Sequence, residues 1–124
     1  MPANRQRLGA IGEQAAADWL ETRGYHIVAR NVRTRYGEID LVARFGTLIV
    51  FVEVKSRTSG RYGHPAEALV WSKRRRLGKL AAACLQRLGL RDCEVRFDVI
   101  AVHLDPDGGV REVEQIVDAF DVVI

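Results

Sequence analysis

The chain has 124 residues, of which 48% are apolar and 28% charged, values typical of one soluble globular domain. No apolar run is long enough to span a membrane, and no apolar stretch follows the basic N-terminus as in a secretory signal. Cys84 and Cys93 lack the spacing of metal ligands and are expected to be reduced thiols. We therefore expect a single domain over residues 1–124, located in the cytoplasm.

The apolar patterns, taken in chain order, predict a helix, three strands, a second helix and a further strand. The first helix is amphipathic, and the second carries its apolar residues at helical spacing. This αβββαβ order favours an α/β fold with a mixed central sheet flanked by helices. The expected elements are a helix over 4–24, a strand over 25–32, a hairpin over 37–57, a helix over about 72–88, a strand over 94–104, and a short strand with an apolar tail over 110–124.

The hairpin is the most informative part of the chain. Gly46 and Thr47 fit a two-residue turn with glycine first, so Phe45 is expected to face Leu48. The same register places Asp40 opposite Glu53 and Glu38 opposite Lys55. Because side chains alternate along a strand, Glu53 and Lys55 share one face of the sheet.

Two facing carboxylates repel each other unless a proton or a cation lies between them. A hard divalent ion, Mg²⁺ or Mn²⁺, suits such oxygen ligands. The run from Leu48 to Val54 is apolar except for Glu53 and predicts a central strand, where charged side chains must be paired or ligated. The alternative interpretation is a Glu38–Lys55 salt bridge with Asp40 on a solvated sheet face.

Asp40, a gap of twelve residues and Glu53-Val54-Lys55 resemble the core of the PD-(D/E)xK nuclease superfamily, although Ile39 stands where the superfamily has proline. The resemblance implies a restriction-endonuclease-like fold and metal-dependent cleavage of nucleic acid. Over nearly its whole length the chain is similar to the small YraN-like bacterial family. The segments that carry this second similarity are Gly12-Glu13, 37–42, 51–57, the basic helix from Lys73 onward and 97–99.

The superfamily resemblance implies a role for each residue of the site. Asp40 and Glu53 would hold Mg²⁺ or Mn²⁺, and the backbone carbonyl of Val54 would add a ligand. Lys55 would orient the attacking water or stabilise the negative charge that develops on the phosphate. The family resemblance also makes Glu13 a third metal-site carboxylate; from the sequence alone it is equally a solvated glutamate at the edge of the apolar stripe.

Positive charge is concentrated in the first part of the chain. Residues 1–91 carry 17 Lys and Arg against 7 Asp and Glu, whereas residues 92–124 carry 2 against 9. A basic surface of this kind is typical of proteins with a polyanionic partner. The alternative interpretation is that the basic side chains belong to a solvated helix face and an ordinary surface loop, without a nucleic-acid partner. The residues expected to contact nucleic acid are Arg57, Arg61, Lys73, Arg76 and Lys79.

Three functions of different classes follow from these observations. The first is a metal-dependent endonuclease acting on DNA, with branched or damaged DNA among its candidate substrates. The second is a nucleic-acid-binding module without turnover, and the third is a protein-interaction domain that keeps the nuclease fold. The choice between DNA and RNA stays open, as do a homodimer formed through residues 119–124 and a protein partner needed for activity.

Overall fold

The computed structural model describes residues 4–58 and 71–120, except for the side chains of 71–76. The described chain forms two helices around one five-stranded sheet. This confirms the mixed α/β fold that the sequence predicts. The elements are α1 (Arg5–Thr22), β1 (His26–Thr34), β2 (Gly37–Phe45), β3 (Leu48–Arg57), α2 (Trp71–Leu88), β4 (Glu94–Leu104) and β5 (Val110–Phe120).

The first helix begins and ends with local signals that are visible in the sequence. Asn4 caps α1 by accepting a hydrogen bond of 2.8 Å from the backbone N–H of Arg7. After Thr22 the chain turns at Gly24, whose φ of 89° favours glycine. Neither described helix is long and apolar enough for a membrane crossing.

The strands are arranged in sequence order across the sheet, from β1 to β5. All neighbours are antiparallel except β3 and β4, which are parallel. A parallel pair needs a long crossover connection, and the segment that contains α2 provides it. The central position of β3 explains its apolar composition: Phe51 and Val52 are fully buried, and each contributes about 1.5–3 kcal/mol of hydrophobic stabilisation.

The hairpin between β2 and β3 has the predicted register. Phe45 pairs with Leu48 and Leu41 pairs with Val52, around a turn in which Gly46 has a φ of 61°. The described ladder stops at the Leu41–Val52 pair, so Asp40 and Glu53 lie just beyond it.

Two apolar clusters cover the two faces of the sheet. The α1-side cluster packs under the first helix, and the α2-side cluster packs under the second. The α1-side cluster comprises Ala16, Ala17, Leu20, Leu41, Ala43, Val50, Val52, Ile100, Val102 and Leu104. The α2-side cluster comprises Val32, Ile39, Val42, Ile49, Phe51, Leu77, Leu80, Ala81, Cys84, Phe97, Val99 and Phe120.

The last strand is longer than the sequence predicts. β5 has 11 residues and pairs with β4 from Leu104 back to Phe97. Asp98 is fully buried beside it, where it binds Arg96 at 2.8 Å and accepts a hydrogen bond of 2.9 Å from the Asp118 N–H. These hydrogen bonds tie the edge strand to β4 and satisfy the buried charge.

Candidate active site

Asp40 interrupts the regular alternation of side chains along β2. Ile39 belongs to the α2-side cluster and Leu41 to the α1-side cluster, although alternate residues of a regular strand share one face. Asp40 lies at this break, half-buried, and its Oδ2 accepts a hydrogen bond of 2.8 Å from the backbone N–H of Val54. The side chain of Asp40 thus links β2 to β3 where their backbone pairing ends.

Glu53 and Lys55 lie together on the α2 face of β3. Lys55 Nζ is 3.0 Å from Glu53 Oε1, and both side chains are largely buried, with exposed fractions of 24% and 17%. Glu38, which the sequence places opposite Lys55, forms its ion pair with Arg33 at 3.4 Å. The Glu38–Lys55 salt bridge is absent from the ion pairs of residues 4–58.

The pKa of Asp40 lies above its usual value of 3.8. Burial is the main cause, and the negative charges of Glu53 and Glu38 raise the pKa further. The hydrogen bond from Val54 and the charge of Lys55 act in the opposite direction. Asp40 is therefore a carboxyl group whose ionised form is disfavoured by its surroundings.

Glu13 reaches the same region from α1. Glu13 and Asp40 both line a cleft of about 580 Å³ between the start of α1 and the ends of β3 and β4. Burial raises the pKa of Glu13, and the charges of Asp40 and Glu38 raise it further. The remaining residues that line this cleft are Arg5, Leu8, Gly9, Val54, Ser56, Arg57, Thr58 and Leu104.

Gly12 allows α1 to approach the sheet closely at this cleft. A Cβ atom at Gly12 would lie 1.8 Å from Ser56 Oγ and 3.1 Å from Ser56 Cβ. Any larger residue would push α1 away from β3, and Glu13, the next residue, would move with it. The Gly12-Glu13 pair therefore combines a packing requirement with a carboxylate in the cleft.

Sequence reasoning missed two residues of this region. Arg5 lines the cleft, as Arg57 does, but nothing in its sequence context distinguishes it from other exposed arginines. Asn31 has a φ of 50° within β1, and its amide is within hydrogen-bonding distance of Glu13 and Glu38. The available signal for Asn31 was an asparagine in a strand, where this residue type is depleted.

Two of the predicted nucleic-acid contacts, Arg57 and Lys79, have described side chains. Arg57 is half-buried at the cleft, and Lys79 is exposed on α2. Arg61 lies outside the described residues, as do the side chains of Lys73 and Arg76.

The structure brings only part of the predicted set of metal ligands together. In the described part of the chain, no group of three His, Cys, Asp or Glu side chains is arranged to hold a metal ion. Glu53 is nevertheless close enough to Asp40 for its negative charge to raise the pKa of Asp40. Two carboxylates in this relation, with a backbone carbonyl at Val54, fit a hard cation such as Mg²⁺ as a donor set.

The family described as "Uncharacterised protein family UPF0102" matches residues 12–102. The chain belongs to the UPF0102 family. This confirms the small bacterial family inferred from the sequence. The matched residues of this UPF0102 chain include Glu13, Asp40, Glu53 and Lys55.

Bacterial UPF0102 relatives align over almost their full length. A UPF0102 protein of Symbiobacterium thermophilum is 54% identical over 106 residues, which are 86% of this chain and 90% of that protein. A UPF0102 protein of Moorella thermoacetica is 48% identical over 120 residues, 97% of this chain and 100% of that protein. Among solved structures, Pyrococcus furiosus SfsA in complex with Ca²⁺ is 19% identical with a TM-score of 0.45; the match covers 87% of this chain and 62% of SfsA.

Proposed function

We propose that this UPF0102 chain is a metal-dependent endonuclease of the PD-(D/E)xK superfamily that hydrolyses phosphodiester bonds in DNA. The observation that carries the proposal is the position of Asp40. Its carboxylate is bound to the Val54 N–H at the end of the β2–β3 ladder, beside the Glu53–Lys55 ion pair. A carboxylate pair with an adjacent lysine is a suitable arrangement for phosphodiester hydrolysis.

Asp40, Glu53 and the carbonyl of Val54 would hold the metal ion, with Glu13 as a further carboxylate at the cleft. A bound Mg²⁺ or Mn²⁺ would polarise the scissile phosphate and lower the pKa of a water molecule. The fixed Asp40–Val54 hydrogen bond keeps one carboxylate oriented before any ligand arrives. This preorganisation reduces the reorganisation that binding would otherwise require.

Lys55 would act on the reacting phosphate. Its ammonium group is a compact positive charge held 3.0 Å from Glu53 on a central strand. From there it would donate hydrogen bonds to the attacking water or to a phosphate oxygen that gains negative charge in the transition state. Glu53 therefore has two roles in the proposal: metal ligand and anchor for Lys55.

The substrate contacts would come from basic side chains around the cleft. Arg5 and Arg57 line the same cleft as Glu13 and Asp40, and Lys79 is exposed on α2. Such cations bind phosphates without regard to sequence. Arg61, Lys73 and Arg76 complete the proposed contact set. A second copy of the chain would be needed to cut both strands of a duplex at one position.

The proposal is tested by cleavage of labelled duplex, single-stranded, flapped and four-way-junction DNA in Mg²⁺, Mn²⁺ or EDTA. Wild type and Asp40→Asn are compared side by side, and RNA of matched sequence is included. Metal-dependent cutting by the wild type alone supports the proposal and identifies the preferred substrate. Cutting that persists in Asp40→Asn would contradict it.

A nucleic-acid-binding module without turnover is the second candidate. The observation that favours it is the lack of a three-ligand metal cluster among the described residues. Salt-sensitive DNA binding by the wild type, with no cutting of any substrate in either metal, would select this candidate. If neither cutting nor binding occurs, a protein-interaction role becomes the better explanation.

A further inference from the structure

Asn31 has an unusual backbone conformation at the edge of the candidate site. Its φ of 50° lies in the left-handed region, which residues other than glycine rarely adopt, although asparagine tolerates it better than most. Arg30 pairs with Leu41 and Val32 pairs with Ile39, so Asn31 lies level with Asp40 on the neighbouring strand. The conformation therefore occurs beside the break in alternation along β2.

The side chain of Asn31 connects two carboxylates that come from different elements. With its amide nitrogen turned toward both acids, Asn31 Nδ2 donates to Glu13 Oε1 at 2.8 Å and to Glu38 Oε1 at 3.1 Å. Glu13 is on α1 and Glu38 is on β2. One amide group thus joins the first helix to the hairpin at Glu13, a residue that lines the cleft.

These contacts offset a repulsion that the fold creates. The negative charges of Glu38 and Asp40 both act on Glu13 and disfavour its ionised form. A neutral donor between two like charges satisfies an oxygen of each without adding a charge of its own. Arg30 also favours the ionised form of Glu13, but it donates its hydrogen bond of 2.9 Å to Gln14 Oε1.

We propose that Asn31 is a positioning residue that holds the Glu13 carboxylate at the candidate metal site by donating to Glu13 and Glu38 together. This inference rests on the proposed metal-dependent function. Hydrogen bonds from neighbouring residues orient metal ligands, and their removal typically lowers metal affinity about 10–100-fold. Because Asn31 is exposed, we expect an effect near the lower end, about 10-fold.

The Asn31→Gly variant tests the role of the side-chain amide separately from that of the backbone conformation. Glycine adopts the left-handed conformation without strain, so this change removes both hydrogen bonds and leaves the backbone path available. Asp92→Gly is the matched control. Asp92 has a φ of 55° and is exposed between α2 and β4, so it undergoes the same kind of change away from the cleft.

The experiment measures Mn²⁺ affinity by isothermal titration calorimetry, the metal concentration for half-maximal DNA cleavage, and the unfolding temperature in EDTA. We expect Asn31→Gly to lower metal affinity about 10-fold. The unfolding temperature should change little, because relief of the left-handed backbone strain offsets the two lost hydrogen bonds. Asp92→Gly should leave the metal affinity unchanged. Asn31→Gly should have no further effect on metal affinity in a Glu13→Gln background, because the residue acts through Glu13.

Four outcomes overturn the inference. If the wild type binds metal and cuts DNA, and Asn31→Gly binds metal as tightly as the wild type, the role of Asn31 is refuted and the nuclease proposal stays intact. An equal loss of metal affinity in Asp92→Gly would show that the introduction of glycine, and not the loss of the Asn31 amide, causes the effect. Additive effects of Asn31→Gly and Glu13→Gln would show that Asn31 does not act through Glu13. A wild type that neither binds Mn²⁺ nor cuts would refute the proposed function and the inference with it.

Discussion

Asp40 replaces a backbone partner of Val54. Its Oδ2 accepts the Val54 N–H at 2.8 Å, just past the Leu41–Val52 pair where the described β2–β3 ladder stops. The Asp40 side chain therefore links β2 to β3 just beyond their last backbone pair, and it also supplies a carboxylate to the candidate site. Changes at Asp40 should affect both stability and activity, and the two effects can be separated.

Asp40→Asn and Asp40→Ala are expected to differ in stability but to lose cleavage equally. Asparagine retains an oxygen that can accept the Val54 N–H, whereas alanine leaves this half-buried donor without its partner, at a cost of about 1–3 kcal/mol. Urea unfolding gives the free energy of unfolding of each variant, and the DNA assay gives activity. Equal stability of the two variants would show that the hydrogen bond contributes little.

The raised pKa of Asp40 predicts a pH-dependent stability of the metal-free protein. A carboxyl whose pKa is higher in the folded state than the ordinary 3.8 binds its proton more tightly when folded. Its contribution to stability is therefore lost as pH rises through 3.8 toward the folded-state pKa. Asp40→Asn should be more stable than wild type at about pH 7 and lose this advantage below about pH 4.

Unfolding in urea with EDTA present, measured from about pH 3 to pH 7, checks this dependence. Glu13→Gln should show the same direction, because burial and the charges of Asp40 and Glu38 raise the pKa of Glu13. A wild type that is more stable than Asp40→Asn at neutral pH would mean that the Val54 hydrogen bond and Lys55 outweigh burial.

Gly12→Ala is expected to lower the free energy of unfolding by about 1–3 kcal/mol, the usual cost of overpacking. The new methyl group would lie 1.8 Å from Ser56 Oγ, and α1 would shift together with Glu13. Gly9→Ala is the matched control in the same helix. No atom lies within 4 Å of a Cβ at Gly9, so alanine should stabilise the helix by about 0.5–1 kcal/mol.

Thermal unfolding and DNA cleavage of both glycine variants test this packing argument. The Ser56→Ala change, which removes the hydroxyl oxygen, should restore part of the stability of Gly12→Ala. If Gly12→Ala is as stable as Gly9→Ala, the contact between α1 and β3 is looser than the structure indicates.

Lys55→Met is expected to reduce single-turnover cleavage about 10²–10³-fold, the usual loss when a group that stabilises transition-state charge is removed. Lys55→Arg should not restore activity, because the planar guanidinium cannot occupy the position of a compact ammonium. DNA affinity should change little in either variant. Full activity of Lys55→Arg would show that only a positive charge is needed at this position.

Arg57→Ala and Arg5→Ala are expected to weaken DNA binding on all sequences. Each should reduce the slope of log affinity against log salt by about 1, because one phosphate contact is lost. Arg111→Ala is the control, since Arg111 is exposed on β5 and pairs with Asp105 at 3.3 Å. Fluorescence anisotropy at several salt concentrations gives the slopes; equal slopes for all three variants would place DNA elsewhere on the surface.

Hairpin geometry made the relation between β2 and β3 predictable from the sequence. A two-residue turn at Gly46 and Thr47 leaves one register for the flanking strands, and the structure has that register from Phe45–Leu48 to Leu41–Val52. Alternation then put Glu53 and Lys55 on one face.

The partners of these charged residues depended on the three-dimensional fold. Regular alternation predicts that Asp40 faces Glu53 and that Glu38 faces Lys55, but β2 changes face at Asp40. As a result Asp40 binds the Val54 N–H, Lys55 binds Glu53, and Glu38 binds Arg33. The length of β5 was also underestimated, because its pairing with β4 rather than its own composition determines where it ends.

The sequence by itself determined the family, the order of the elements and the residue types of the candidate site, because periodicity, turn chemistry and motif spacing are local properties. Only the tertiary structure brought Glu13 and Arg5 from α1 to the cleft beside Asp40. It alone also assigned Asn31 to the gap between Glu13 and Glu38. These contacts join residues of different elements, and their geometry follows from how α1 packs against the sheet at Gly12, which no local pattern specifies.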